Sequence, residues 1–474
     1  MPYVFFDTET TGISTPFVQI LEFGAIKTDD DLNEIDRFFV RCRLLPHIVP
    51  SPGALLVTGI TPDILLDEGL PSHYEAIQEI RRKLMEWSPA VFIGYNSFGF
   101  DEEILRQAFF QTLHPPYLTN TNGNVRSDAM RIMHAAHIYQ PNTISVPADK
   151  RGRKTFRLDK LAPANGYVPS LELPRGVSDE DSQVYGDVEA TIFMARLVKE
   201  RANQIWENME RFRDQDQTID FMMREPCFSL SERYFGRIYS WLVTFCGQNP
   251  NYKNQIAVFD TDFNPEEYLQ LSVEELTMVL NKSPKAIRVV TANRQPIMMS
   301  AEEAPGGKTD PLVSEYERKR RIDVIRGDQR FVRRVGEALS QRFQPIEPSP
   351  YRELQIYDGS VSWEDQDLID KFHEEPWETR IHLIEQIQDP RLVEFAHRLV
   401  YFERPELLSD RKRKEMDEWR AERIVTGGQL VPWMDLSKAF AELRELEEED
   451  SSGRYSKFLK EVRKFLMGRG ELRT

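Results

Sequence analysis

The chain has 474 residues, of which 29% are charged and 40% hydrophobic, and its formal net charge is −16. That length accommodates about three domains. The acidity excludes a generally basic, nucleic-acid-coating surface but not a local groove, because attraction depends on the field along the binding track. No stretch is long enough to cross a membrane, and the start MPYVFF is too short for a signal-peptide core. Cys42, Cys227 and Cys246 are odd in number and widely spaced, which fits free buried thiols in a reducing cytoplasm. No zinc-ligand spacing is visible.

The first element is an apolar strand, Tyr3-Val4-Phe5-Phe6, which runs into Asp7-Thr8-Glu9-Thr10-Thr11-Gly12. Period-two geometry puts Asp7 and Glu9 on one face of that strand. Two carboxylates side by side at the end of a core strand repel each other and are costly to desolvate. A divalent cation relieves both problems, and oxygen-only ligands point to Mg²⁺ or Mn²⁺ rather than zinc. A second apolar strand, Val91-Phe92-Ile93-Gly94, enters a polar turn, after which Asp101 opens a helix. Asp is also favoured there as a cap for backbone N–H groups, so a capping role for Asp101 stands beside a ligand role. A helix is predicted over about 183–202 from its apolar face of Val184, Val188, Ile192, Ala195 and Val198. Asp187 lies beside that face, out of place unless it serves a site. Asp7, Glu9, Asp101 and Asp187 thus make a candidate four-carboxylate cluster able to hold two metal ions.

Residues 1–202 alternate strands and helices, an α/β pattern. Residues 203–350 begin with the polar, helical segment 204–224 and then turn β-rich, with clear strands at 256–260 and 287–290. Ala304-Pro305-Gly306-Gly307 reads as a loop, and 344–350 as an extended linker because each Pro disfavours helix at the residue before it. Residues 351–474 carry successive amphipathic helices whose charged stretches, such as Asp410 to Arg423, form exposed faces. Basic clusters interrupt the acidity: 150–154 is expected as a mobile loop beside the active site, and Arg318-Lys319-Arg320-Arg321 with Arg330, Arg333 and Arg334 reads as helix. Such runs form either a solvated face or a phosphate contact.

Taken together, DTETTG at 7–12, GYNSFGFDEE at 94–103, SDAMR at 127–131, FRLDKLAPANG at 156–166 and GDVEATIFMARLVK at 186–199 resemble the exonucleases with the four-acid DEDD signature. Within them the chain is most similar to the bacterial exonuclease I family, and the likeness extends to YFGRIYSW at 234–241, the segment 286–298 and LQIYDG at 354–359. The resemblance implies a ribonuclease H-like exonuclease domain, then an SH3-like domain that helps enclose the strand, then a C-terminal helical domain. It implies metal-dependent 3′→5′ hydrolysis of single-stranded DNA with release of nucleoside monophosphates, in DNA repair or recombination. Two Mg²⁺ ions, replaceable by Mn²⁺, would be held by Asp7, Glu9, Asp101 and Asp187. Thr10 would meet the terminal nucleotide, and Arg106, Tyr117, Arg131 and Arg157 match strand-contacting positions. Single-stranded DNA and single-strand-binding protein are the implied partners of a monomeric, cytoplasmic enzyme with no membrane contact.

One departure bears on catalysis. The family's general base is a His five residues before the last metal-binding Asp, and that position here is Ser182. A related branch uses Tyr four residues before it, which here is Gln183; Tyr185 stands only two before and points to a different side of the helix. A serine hydroxyl is no base near neutral pH, and general-base help is worth roughly 10²–10⁴-fold. Asp179, Glu180 and Asp181 are the substitute carboxylates within reach in sequence. The competing expectation is therefore a relative that binds DNA ends, or a partner, without cutting efficiently.

Overall fold

The computed structural model describes residues 1–168, 183–234, 236–304, 313–343 and 347–471. Ser182 and the acids at 179–181 lie outside the described residues, as do Pro305–Gly307 of the expected loop and 344–346 of the expected linker. By backbone contacts the chain divides into two compact units. One contains Met1–Asn124, Glu347–Thr474 and a segment ending at Glu189, and the other contains Val125–Val168 and Ala190–Ile346.

In the first unit, strands β1 (Tyr3–Thr10), β2 (Ile20–Thr28), β3 (Glu34–Arg41) and β4 (Val91–Gly94) lie in the order β3-β2-β1-β4. β1 pairs antiparallel with β2 and parallel with β4, so it is central and covered on both faces. This is why its residues read as a near-continuous apolar run rather than an alternating one. The register sets Asp7 opposite Gly24, and it shifts between Glu9 and Thr10. Such an irregularity bends a strand and re-aims its side chains. Gly24 has a steric reason: a Cβ there would come within 2.6 Å of Val184 Cγ1. The bare backbone lets the Gln183–Arg201 helix approach β2 directly across from Asp7, and Asp187 follows one turn after Val184.

The C-terminal helices do not form a core of their own. Tyr74, Phe110 and Leu113 pack with Phe372, Phe395 and Leu399, while Leu21, Leu55 and Ile60 pack with Leu443, Leu459 and Leu466. Truncating a large buried side chain in such a core costs about 2–5 kcal/mol. The Asp410–Ile424 helix is largely exposed, as its charge suggests, but its penultimate residue Arg423 is buried.

The first unit also buries neutral histidines at this seam. His114 and His373 stack at 3.9 Å, and the two ring nitrogens of His373 bond Tyr74 Oη at 2.8 Å and the Leu113 carbonyl at 2.9 Å. Burial pulls His73 and His373 down to about 4 and His114 to about 2. Below pH 6.5 the unfolded chain therefore binds protons that the folded unit refuses, and stability falls as the pH drops from about 6.5 towards 4. Each such histidine should cost about 1.4 kcal/mol at pH 5.5. Urea titrations at pH 7.5 and 5.5 should show this loss, and His373→Gln should reduce it; equal stability at the two pH values would contradict the assignment.

In the second unit, β5 (Val125–Asp128) leads into the Ala129–Tyr139 helix. An antiparallel sheet of β6 (Phe228–Tyr234), β7 (Arg237–Gln248), β8 (Gln255–Asp260), β9 (Ile287–Thr291) and β10 (Ile297–Ser300) runs in the order β10-β6-β7-β8-β9. The two strands expected at 256–260 and 287–290 are β8 and β9. The polar segment 204–224 forms the helices Asn203–Arg211 and Gln215–Arg224.

Lys319 of the basic run at 318–321 is exposed, as a solvated face expects, but its three arginines are held by carboxylates and carbonyls of the protein. Arg318 is buried and bonds Asp262, Arg320 pairs with Glu317 and Glu266, and Arg321 pairs with Glu317 and two backbone carbonyls. The run at 150–154 is a tight turn ordered by Asp149, which accepts from the backbone N–H groups of Arg151 and Arg153 and pairs with the Arg153 guanidinium. Among the described residues no helix is long and apolar enough to cross a membrane.

Candidate active site

Asp7 and Glu9 sit at the end of β1, and Asp187 reaches them from the Gln183–Arg201 helix. One carboxylate oxygen from each lies within 4.8 Å of the others. Asp101, buried at the first position of the Asp101–Gln111 helix, has Phe100 as its N-cap residue, and its Oδ1 accepts a 2.7 Å bond from Thr8 Oγ1. Sequence alternation places Thr8 on the opposite face from the two acids, so periodicity gave no signal for this bond. Burial, followed by the charges of Asp101, Asp187 and Glu9, raises the Asp7 pKa well above the ordinary carboxylate value. A buried carboxylate facing three others is matched by a cation. An oxygen-only donor set with this spacing fits a hard divalent ion such as Mg²⁺ or Mn²⁺.

Beside the acids, Thr10 is buried and its hydroxyl bonds the Gly12 carbonyl at 2.8 Å. A cavity of about 720 Å³ adjoins Thr8, Glu9 and Thr10, with Phe17, Phe395 and Trp433 among its walls. Its surface is mostly apolar, a composition suited to a flat organic group.

The strand-contacting candidates fall in both units. In the first, Arg106 pairs with Glu102 at 2.7 Å and lies 5.3 Å from the ring centroid of the half-buried Tyr117. In the second, Arg131 is half-buried, with Nη1 3.5 Å from the Gln295 carbonyl, and Arg157 is 76% exposed and pairs with Asp159 at 3.0 Å. The Tyr185 ring lies 5.7 Å from that of Phe39 of β3, tilted by 37°, with the guanidinium of Arg37 5.1 Å over it.

A partly exposed aromatic row, with Tyr234 and Tyr239 exposed and Trp241 half-buried, escaped the sequence reading. Tyr239 and Trp241 of β7 stack at 6.1 Å with planes 7° apart, Tyr234 follows at 6.3 Å, and Arg288 lies 3.4 Å over Trp241. The alternate spacing of 239 and 241 on one strand is the signal that could have found it.

A protein-family profile described as "Exonuclease" matches residues 4–136, and one described as "Exonuclease I C-terminal domain" matches residues 352–468. Fold, site and profile together give residues 4–136 the character of an exonuclease domain. More narrowly, the chain resembles bacterial exonuclease I. It is 33% identical over 243 residues to exodeoxyribonuclease I of Buchnera aphidicola subsp. Acyrthosiphon pisum, covering 50% of this chain and 56% of that protein, so this match spans little over half of the relative. It is 26% identical over 376 residues to exodeoxyribonuclease I of Escherichia coli, covering 76% of each. The crystal structure of E. coli exonuclease I in complex with a dA16 oligonucleotide superposes with a TM-score of 0.83 at 21% identity over 99% of each chain. Another structural neighbour is an SSB/exonuclease I crystal structure with an inhibitor.

Proposed function

We propose that the protein is a metal-dependent 3′→5′ exodeoxyribonuclease that acts on single-stranded DNA and releases nucleoside monophosphates. The observation that carries this reading is the oxygen-ligand cluster of Asp7, Glu9 and Asp187, with Asp101 beside it, at the end of the central strand of an exonuclease domain. Asp7, Glu9, Asp101 and Asp187 would hold two Mg²⁺ ions, with Mn²⁺ able to replace them. When bound, such ions lower the pKa of the attacking water and offset charge on the leaving 3′ oxygen. Thr10, at the strand end, would meet the terminal nucleotide. Arg106, Arg131 and Arg157 supply guanidinium groups suited to phosphate, and Tyr117 an aromatic face. In the second unit, whose sheet we read as the SH3-like element, Tyr234 and Tyr239 present exposed rings that stack on any base. This accounts for binding by a chain of net charge −16, because the contacts are local. Single-strand-binding protein is a further proposed partner, DNA repair or recombination the proposed setting, and a monomer the proposed state.

Ser182 at the family's His position supports a second reading, a relative that binds 3′ ends and cuts slowly or not at all. End-labelled single-stranded and duplex DNA and RNA, incubated with Mg²⁺, Mn²⁺ or EDTA, separate the two. The exonuclease reading expects stepwise loss of nucleotides from the 3′ end of single-stranded DNA, blunt duplex left nearly intact and no cutting in EDTA. Release first from the 5′ end would contradict it. Tight binding without products would favour the second reading.

A further inference from the structure

The loop from Gly12 to Gln19, which follows the metal-binding strand, is clamped by residues more than 300 positions away in the chain. Its base is closed locally, by the Thr11 N–H to the Gln19 carbonyl at 3.0 Å and the Gln19 N–H to Thr11 Oγ1 at 2.9 Å. Its tip is held from the C-terminal region, where Ser14 Oγ donates to the Pro432 carbonyl at 3.1 Å. Phe17, 9% exposed, lies 5.7 Å from the Trp433 ring and 6.3 Å from Tyr351, with the Arg423 guanidinium 5.4 Å over its face. Arg423, 6% exposed, also lies 4.0 Å over Trp433, whose Nε1 donates to the Arg423 carbonyl at 3.0 Å. Glu353 accepts from Arg423 and, at 2.7 Å, from Arg398.

Burying this ion set contributes little net stability, because desolvation offsets the Coulomb gain and an apolar side chain would pack as well. What a planar, forked guanidinium adds is geometry: it sets the spacing of two rings and a carboxylate at once. We infer that Arg423, acting through Phe17 and Trp433, is a positioning residue that fixes the Gly12–Gln19 loop, and with it Thr10 and Thr11, against the terminal nucleotide of the DNA. The C-terminal helices thereby set the reactive geometry and not only the grip on the strand. This rests on the exonuclease reading above.

The test is steady-state cleavage of long single-stranded DNA with Mg²⁺, together with hydrogen exchange of the peptide covering residues 11–19. Arg423→Lys keeps the charge but loses the planar stack, and Phe17→Ala empties the clamp. Both should lower kcat by about tenfold or more, since a misplacement of about 1 Å can cost 10²-fold. KM should stay within about twofold, because contacts remote from the loop hold the strand. Exchange in the loop should rise, and Phe17→Tyr should restore most of the rate. Tyr401→Phe, which removes a bond to Asp417 in the same helical region, is the control for mere destabilisation and should leave kcat unchanged.

If Arg423→Lys frees the loop without lowering kcat, or if Tyr401→Phe lowers kcat equally, the positioning role is overturned. Unchanged exchange in both clamp variants overturns the clamp itself. A wild-type chain that cuts no DNA instead overturns the exonuclease reading, and the kinetic claim with it.

Discussion

Asp7→Ala should abolish Mn²⁺ binding and all hydrolysis while raising the stability of the metal-free protein. Asp7 has burial, Asp101, Asp187 and Glu9 all acting against its charge. Removing that carboxylate relieves repulsion in the folded state that the unfolded chain does not feel. The same change deletes a carboxylate that interacts with all three other acids, so the site loses part of the negative field that would attract a divalent ion. Loss of several kcal/mol of charge stabilisation, at about 1.4 kcal/mol per tenfold, corresponds to a rate at least about 10³-fold lower. Calorimetry and thermal unfolding with and without Mn²⁺ provide the check. Wild type should gain thermal stability with Mn²⁺, because ligands that bind only the folded state stabilise it by mass action. The variant should start higher and gain nothing. Undiminished Mn²⁺ binding in Asp7→Ala would sink the metal assignment.

The second large effect is expected in the opposite direction. Ser182→His should raise the single-turnover rate by about tenfold or more with little change in DNA affinity. Position 182 precedes Asp187 by the spacing at which the resembled exonuclease I family keeps its base. An imidazole is partly unprotonated near neutral pH and accepts a proton, whereas a hydroxyl does not. The gain should therefore appear as the pH rises through about 6.5, with a flatter profile for the wild type. An identical rate and pH profile in the two proteins would show that another group already acts as base.

Much of the site was legible because its signals are local. The apolar run ending in Asp7-Thr8-Glu9, the helix opening at Asp101 and the apolar stripe beside Asp187 are all read within one or two turns of chain. The strands at 256–260 and 287–290 and the helices across 204–224 followed from composition in the same way. Local pattern was misleading at Arg318, Arg320 and Arg321, where a basic run looked like surface or a phosphate contact. Glu317 pairs with Arg320 and Arg321 within the helix, but Asp262 and Glu266, which pair with Arg318 and Arg320, lie more than 50 residues away, and nothing in a helical window shows that a charge will be neutralised from that distance. Arg423 was read as part of an exposed charged face for the same reason; its partner Glu353 is 70 residues away.

By itself the sequence determined which residues could do the chemistry: four acids on identifiable elements, a serine where the family keeps a base, and the order of α/β, β-rich and helical segments. Periodicity and residue type carry that information because backbone geometry repeats every two or 3.6 residues. Only the tertiary structure decided that Gly24 admits Val184 and so carries Asp187 towards Asp7. It also decided that Thr8 holds Asp101 and that residues 347–471 share their cores with Leu21 of β2 and with Leu55, Tyr74 and Phe110 of the N-terminal helices instead of packing alone. Those outcomes depend on close packing between segments far apart in the chain, where one missing Cβ or one buried guanidinium sets the distance, and no local period encodes such a contact.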